Sequence, residues 1–180
     1  MRILFIGNSH TYVNDMCKMV YDNAKESGVE CEVTMLAHPG WTLEQHANGP
    51  EAKFNILYGN YDYVVLQEHA HPFTEYDKYH DAVIKLNDYI KQTKAKTVIS
   101  TVWAEQRYPE RFANMMEIHR KVAKEINSLI AYVDEAWLKH QEEQPDVSLY
   151  GPDGEHASRI GSKLIADTVW ETIFKDYNGI

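Results

Sequence analysis

The feature that most constrains this chain is the alternation of short, wholly apolar segments with longer ones whose apolar residues recur every three or four positions. Ile3-Leu4-Phe5-Ile6 is continuously apolar, as a strand buried on both faces is; Val13, Met16, Cys17, Val20 and Ala24 then follow at helical steps, ending near Gly28. Val29, Cys31, Val33 and Met35 alternate with Glu30, Glu32 and Thr34, which predicts a half-exposed edge strand. Residues 61–66 predict a third strand before a helix carrying Tyr79, Val83, Leu86 and Ile90 on one face. A fourth, 97–103, precedes a helix carrying Phe112, Met115, Met116, His119, Val122 and Ile126. A fifth, 129–133, leads into an irregular stretch with Pro145 and the Pro152-Asp153-Gly154 turn, and a last helix is expected over 158–174. Strands joined by helical crossovers must lie parallel in one sheet with helices on both faces, so the pattern predicts an α/β fold. With no repeat, linker or low-complexity segment, residues 1–180 are expected to form one domain.

Composition narrows the function. At 44% apolar and 25% charged, the 180 residues suit an ordinary globular core. No apolar run reaches the roughly 20 residues that cross a bilayer, and no basic segment with an apolar stretch opens the chain, so neither membrane insertion nor secretion is expected. Eighteen basic against 27 acidic residues give a net charge of −9 without a basic cluster, which argues against nucleic acid as a partner. Cys17 and Cys31 cannot make a disulfide framework and read as buried thiols, so a cytoplasmic location is expected.

In parallel sheets ligands bind beyond the carboxyl ends of the strands. Gly7-Asn8-Ser9-His10-Thr11, His38-Pro39-Gly40, Gln67-Glu68-His69-Ala70-His71 and Asp153 with His156 all fall there. Ser9 sits at a helix entry, where free backbone N–H groups favour developing negative charge; a plain capping role for Ser9 or Thr11 is the alternative. Asp153 precedes His156 by three residues, so a single turn can set a carboxylate against Nδ1 and leave Nε2 to take a proton; an incidental histidine after an exposed turn is the alternative.

Serine after the first strand, with Asp and His three apart before the last helix, resembles the SGNH (GDSL-like) hydrolase family. Gly7-Asn8-Ser9 is similar to its first block, Gly40 to the glycine of the second, the end of the third strand to the third, and Asp153 to His156 to the D-x-x-H of the fifth, an order covering residues 3 to about 174. The resemblance implies a three-layer α/β sandwich around a five-stranded parallel sheet in the flavodoxin-like order 2-1-3-4-5. It also implies a serine esterase without a cofactor, in which Ser9 attacks the ester carbonyl, His156 shuttles the proton and Asp153 orients the imidazole. The oxyanion would be held by the N–H groups of Ser9 and Gly40. The family's third donor is an Asn in a Gly-x-Asn-Asp block, and here the chain departs, reading Gln67-Glu68-His69-Ala70. Gln67 is the expected donor, with His69 as runner-up.

An α/β-hydrolase elbow would need glycine where Thr11 stands, and a phosphate loop would need a Lys-Ser/Thr that is missing. Two rivals remain: a metal-dependent hydrolase built on His69 and His71 with His10, His38 and His156, and a non-catalytic module that binds an acylated sugar. His119 reads as a core residue, and His46, His80 and His140 as surface positions. Tyr12, Trp41, His69, Phe73 and Trp103 are the expected substrate-binding residues, with Tyr108 beside them, because flat aromatic faces suit a sugar ring or a short acyl chain. The substrate implied is a small ester, O-acetyl groups on a carbohydrate being favoured, while Glu68 and Glu155 would disfavour anionic molecules.

Overall fold

The computed structural model describes residues 1–179. Five strands, β1 (Arg2–Gly7), β2 (Glu32–Ala37), β3 (Tyr63–Gln67), β4 (Lys96–Ser100) and β5 (Leu129–Ala131), form one parallel sheet in the order β2-β1-β3-β4-β5. This is the expected order. Because side chains alternate across a strand, β1 feeds two cores. Ile3 and Phe5 face one side with Tyr63, Val65 and Val98, while Leu4 and Ile6 face the other with Val64, Leu66 and Ile99.

The first side is covered by α2 (Met16–Glu26), α7 (Val133–Glu143) and α8 (Arg159–Asn178), through Met16, Val20, Trp137, Ile165 and Val169. The second is covered by α3 (Leu43–Asn48), α4 (Pro50–Tyr58), α5 (Tyr76–Ile90) and α6 (Arg111–Ile126), through Leu43, Ile56, Val83, Leu86 and Val122. Three layers result. β2 is the edge strand anticipated from its alternation, with Glu32 and Met35 exposed.

Three helices went unanticipated. α3 opens with a capping box, in which Thr42 accepts from Gln45 N–H and the Gln45 side chain accepts from Thr42 N–H, a signal present in the sequence as T-x-x-Q. α4 starts on Pro50 and is flanked by Gly49 and Gly59. α7 occupies the stretch expected to be irregular, with Asp134 and Glu135 in its first turn, where acidic side chains suit the helix dipole. The opposite error concerns the first helix. It is broken into α1 (Ser9–Tyr12), a 3-10 turn over Val13–Asp15, and α2, because Asn14 and Asp15 adopt left-handed backbone at φ 58° and 60°. Asn and Asp tolerate that conformation better than most residues, and here a tertiary partner selects it: Asn14 Nδ2 donates to Ala157 O (2.9 Å) and Ser162 Oγ (3.0 Å). Among the described residues no helix is long and apolar enough to cross a membrane.

Candidate active site

Register sets the site. Gly7 of β1 pairs with Ala37 of β2, and Gln67 of β3 with Ser100 of β4, so β1 to β4 end close together and their loops share one edge of the sheet. Asn8 is the cap of α1: its Oδ1 accepts from His10 N–H (3.1 Å), which frees Ser9 from the capping role. Ser9 Oγ then lies 2.9 Å from His156 Nε2, across 147 residues of sequence. His156 Nδ1 lies 2.7 Å from Asp153 Oδ2.

The carboxylate can only accept, so Nδ1 carries the imidazole proton and Nε2 is left to accept from the serine hydroxyl. Asp153 is held by its own turn, its Oδ1 accepting from Glu155 N–H (3.0 Å) and His156 N–H (2.9 Å). Partial burial opposes its ionisation, but these two bonds and the one from the imidazole outweigh it and bring the carboxyl down to about 2. A cavity of about 590 Å³ opens against Asp153 and His156, walled by Asn14, Tyr150 and Arg159. The Asn14 bonds described above tie the segment that carries Ser9 to the residue after His156.

Gly40 lies beside Trp41, whose carbonyl accepts from Asn8 Nδ2 (2.9 Å), so the second block is fastened to the residue before Ser9. Gly40 has φ +69°, and a Cβ there would meet open space. Left-handed backbone, rather than a crowded approach, is why glycine stands at that position. At this edge of the sheet Gly7 is crowded: a Cβ there would fall 2.3 Å from Thr11 Oγ1 and 2.6 Å from Gln67 Oε1.

Gln67 does not offer the expected donor. Its Oε1 accepts from Asn8 N–H (3.1 Å) and Thr11 Oγ1–H (2.7 Å), and one of its two Nε2 hydrogens goes to Glu68 O, so the amide is turned back into its own loop. His69 is likewise tied back, its Nδ1–H donating to Pro72 O (2.9 Å). Glu68, expected to disfavour anionic molecules, is buried, accepting from His69 N–H (2.6 Å), Thr74 Oγ1–H (2.9 Å) and Leu43 N–H (3.3 Å). It clasps the second and third blocks together. Burial pushes its carboxyl up to about 7 in spite of those donors. Glu155 is paired with Arg107 (3.2 Å), so the two acids supply less negative field than expected.

No family model and no curated protein matches the chain by sequence. Solved structures match it over nearly their whole length. The acetyl xylan esterase AlAXEase superposes with a TM-score of 0.77 at 18% identity, covering 96% of this chain and 100% of that one. A catalytic mutant of an acetylxylan esterase from Geobacillus stearothermophilus gives 0.77 at 15%, over 96% and 93%. A member of the lipolytic G-D-S-L family from Veillonella parvula gives 0.73 at 12%, over 97% and 99%. This is the SGNH-hydrolase fold. At such identities the likeness is one of fold, and the chemistry rests on this chain's own residues.

On that SGNH scaffold the aromatic residues divide. Tyr12 and Trp41 are half-buried beside the Ser9 loop; the Trp41 ring packs on His38 (4.1 Å), and Tyr12 lines a groove of about 650 Å³ with Tyr21 and Met35. Trp103 is only 2% exposed and stacks on Trp137 (4.4 Å, 3°), so it is wall rather than contact surface. Phe73 packs on His119 (5.1 Å) and Tyr79 (5.7 Å), toward α5 and α6. Tyr108 lies under the Arg111 guanidinium (4.0 Å).

The histidines divide too. His38 is bound to Glu51 (2.7 Å), His69 to Pro72 O and His71 to Trp103 O (3.0 Å); among the described residues no three His, Cys, Asp or Glu side chains are placed to hold a metal. His119 is a core residue as expected, its Nδ1–H on Met115 O (2.7 Å) and its pKa lowered by burial to about 4. His46 is a correction: it is buried, and its Nε2–H donates to Gly7 O (2.7 Å), supporting the turn into the Ser9 loop.

Proposed function

We propose that the chain is a serine ester hydrolase of the SGNH family, acting on small acyl esters through an acyl-enzyme on Ser9. The observation that carries this reading is the relay Ser9 Oγ, His156 Nε2, His156 Nδ1, Asp153 Oδ2, closed at 2.9 and 2.7 Å by residues 147 positions apart. His156 takes the hydroxyl proton as Ser9 attacks the carbonyl, and the imidazolium formed is stabilised by Asp153. It then protonates the leaving alcohol; in the second half-reaction it deprotonates water, which releases the acid and restores Ser9. The N–H groups of Ser9, in a first helical turn with no intrahelical acceptor, and of Gly40 are the proposed oxyanion donors. With Gln67 and His69 tied back within their own loop, no side chain is assigned as a third donor, and modest turnover is expected.

O-acetyl groups on a carbohydrate are the proposed substrate. Support comes from the half-buried Tyr12 and Trp41 in the Ser9 and Gly40 segments, the weakened negative field, and the acetyl xylan esterases that share the fold. A cytoplasmic setting belongs to the same proposal, supported by two free buried thiols.

Hydrolysis of p-nitrophenyl acetate by wild type and by Ser9→Ala, with and without EDTA, tests the reading. Turnover should survive EDTA and vanish with Ser9→Ala. Turnover that persists in the variant, or that EDTA abolishes, would overturn it.

A further inference from the structure

The relay leaves one freedom of the catalytic ring open. Hydrogen bonds at Nδ1 and Nε2 fix the two edges of the His156 imidazole, but both lie near its plane, so the ring can still swing about the line joining the two nitrogens. The side chain's own torsions resist that motion weakly, and a contact on the ring face resists it further. His10 supplies one: its ring is stacked on His156 with centroids 4.7 Å apart and planes 22° from parallel.

His10 is itself immobilised. It is 7% exposed, and its backbone N–H is bonded to Asn8 Oδ1 in the cap of α1. Trp103 meets the His10 ring edge-on at 5.0 Å and 90°, and His71 meets it at 4.9 Å and 83°. These two brace one another, since His71 Nε2–H donates to Trp103 O, and Trp103 is anchored by its stack on Trp137 and by Nε1–H donating to Glu155 O (2.9 Å). The wall continues from the core straight onto the face of the catalytic ring.

We propose that His10 is a positioning residue for His156, a neutral π-face that locks the plane of the imidazole and stabilises the imidazolium formed during acyl transfer. The inference rests on the esterase reading above for its meaning in turnover. The face of a neutral aromatic ring attracts a cation, whereas a charged His10 would repel one. Burial first, and then the neighbouring His71, His156 and His69, holds the His10 pKa well below the ordinary histidine value, with Asp153 opposing, so the ring stays neutral where the enzyme works. The groups facing His156 are Asp153, Ser9 and His10, with Arg159 in the wall of the adjoining cavity. Of these, His10 is the one whose removal takes away a face without touching a hydrogen bond of the relay.

The test compares His10→Leu with His10→Phe. Leu fills much of the volume without a π-face, so kcat for p-nitrophenyl acetate should fall roughly tenfold with KM little changed. The acid limb of the kcat/KM profile should move to lower pH, because an imidazolium that loses stabilisation gives up its proton more readily. Phe restores a neutral face and should recover most of both changes. A 15N titration of the His156 imidazole in the whole chain reads the same shift without turnover. It therefore separates this inference from the esterase reading: an inert wild type would sink the latter while the titration still decides the former. A Leu variant with an unmoved His156 titration, or a Phe variant as impaired as Leu, would overturn the proposal.

Discussion

Replacing Glu68 by Gln should change how the protein's stability depends on pH, by an amount that follows from its burial. The side chain is 1% exposed and its carboxyl is raised from 4.5 to about 7. A raised carboxyl binds its proton more tightly folded than unfolded, so its contribution is fully present below the unfolded value and is lost as pH climbs to the folded one. Integrated between pH 5 and pH 8, the loss is roughly 2–3 kcal/mol. Spread over the unfolding entropy of a chain this long, that is about 7 °C in Tm. Gln is isosteric and neutral; its Oε1 can keep the bonds from His69 N–H and Thr74 Oγ1–H. Thermal unfolding of both proteins at pH 5, 6, 7 and 8 and matched ionic strength measures the difference directly. The Tm of Glu68→Gln relative to wild type should rise by about 7 °C across that range, nearly all of it before pH 8. Parallel curves, or a variant that falls behind as pH rises, would refute the argument that Glu68 is desolvated in the folded chain.

Other expectations concern the relay and the loops around it. Asp153→Asn should leave KM nearly unchanged and lower kcat by up to about 10⁴, since an amide facing Nδ1 favours the wrong tautomer; a loss under tenfold would argue against the assigned role. Gly7→Ala puts a methyl into Thr11 and Gln67 and should cost about 1–3 kcal/mol in denaturant unfolding, whereas Gly40→Ala meets open space and should cost only about 1 kcal/mol for its left-handed backbone. Equal costs would contradict the different reasons given for the two glycines. Asn14→Ala should lower the Tm by several degrees and weaken catalysis, because it frees the carbonyl next to His156 and breaks the tie between the two halves of the relay. An unchanged kcat would limit Asn14 to a structural part.

The parallel sheet and its covering helices were legible because local information suffices for them, whereas the strand order came from the family resemblance. A strand buried on both faces must be apolar throughout, a covering helix must repeat its apolar residues every three or four positions, and right-handed crossovers leave few topologies open. Ser9, Asp153 and His156 were legible as candidates because their residue types and order along the chain are distinctive, but their meeting is a tertiary fact, made by β1 and the turn before α8 arriving at one sheet edge. Where local and long-range demands conflict, sequence reasoning failed for identifiable reasons. Asn14 breaks an otherwise good helical pattern because Ala157 and Ser162, more than 140 positions away, satisfy its amide. Gln67 has the chemistry of an oxyanion donor, yet a planar amide can be aimed in one direction, and the Asn8 N–H and the Thr11 hydroxyl claim it first. The chain by itself determined which layers form and which side chains could react. Only the tertiary structure decided which of those polar groups are spent on one another and which remain free to act, because a hydrogen-bonding group buried in a packed site must be paired, and its nearest partner is set in space rather than in sequence.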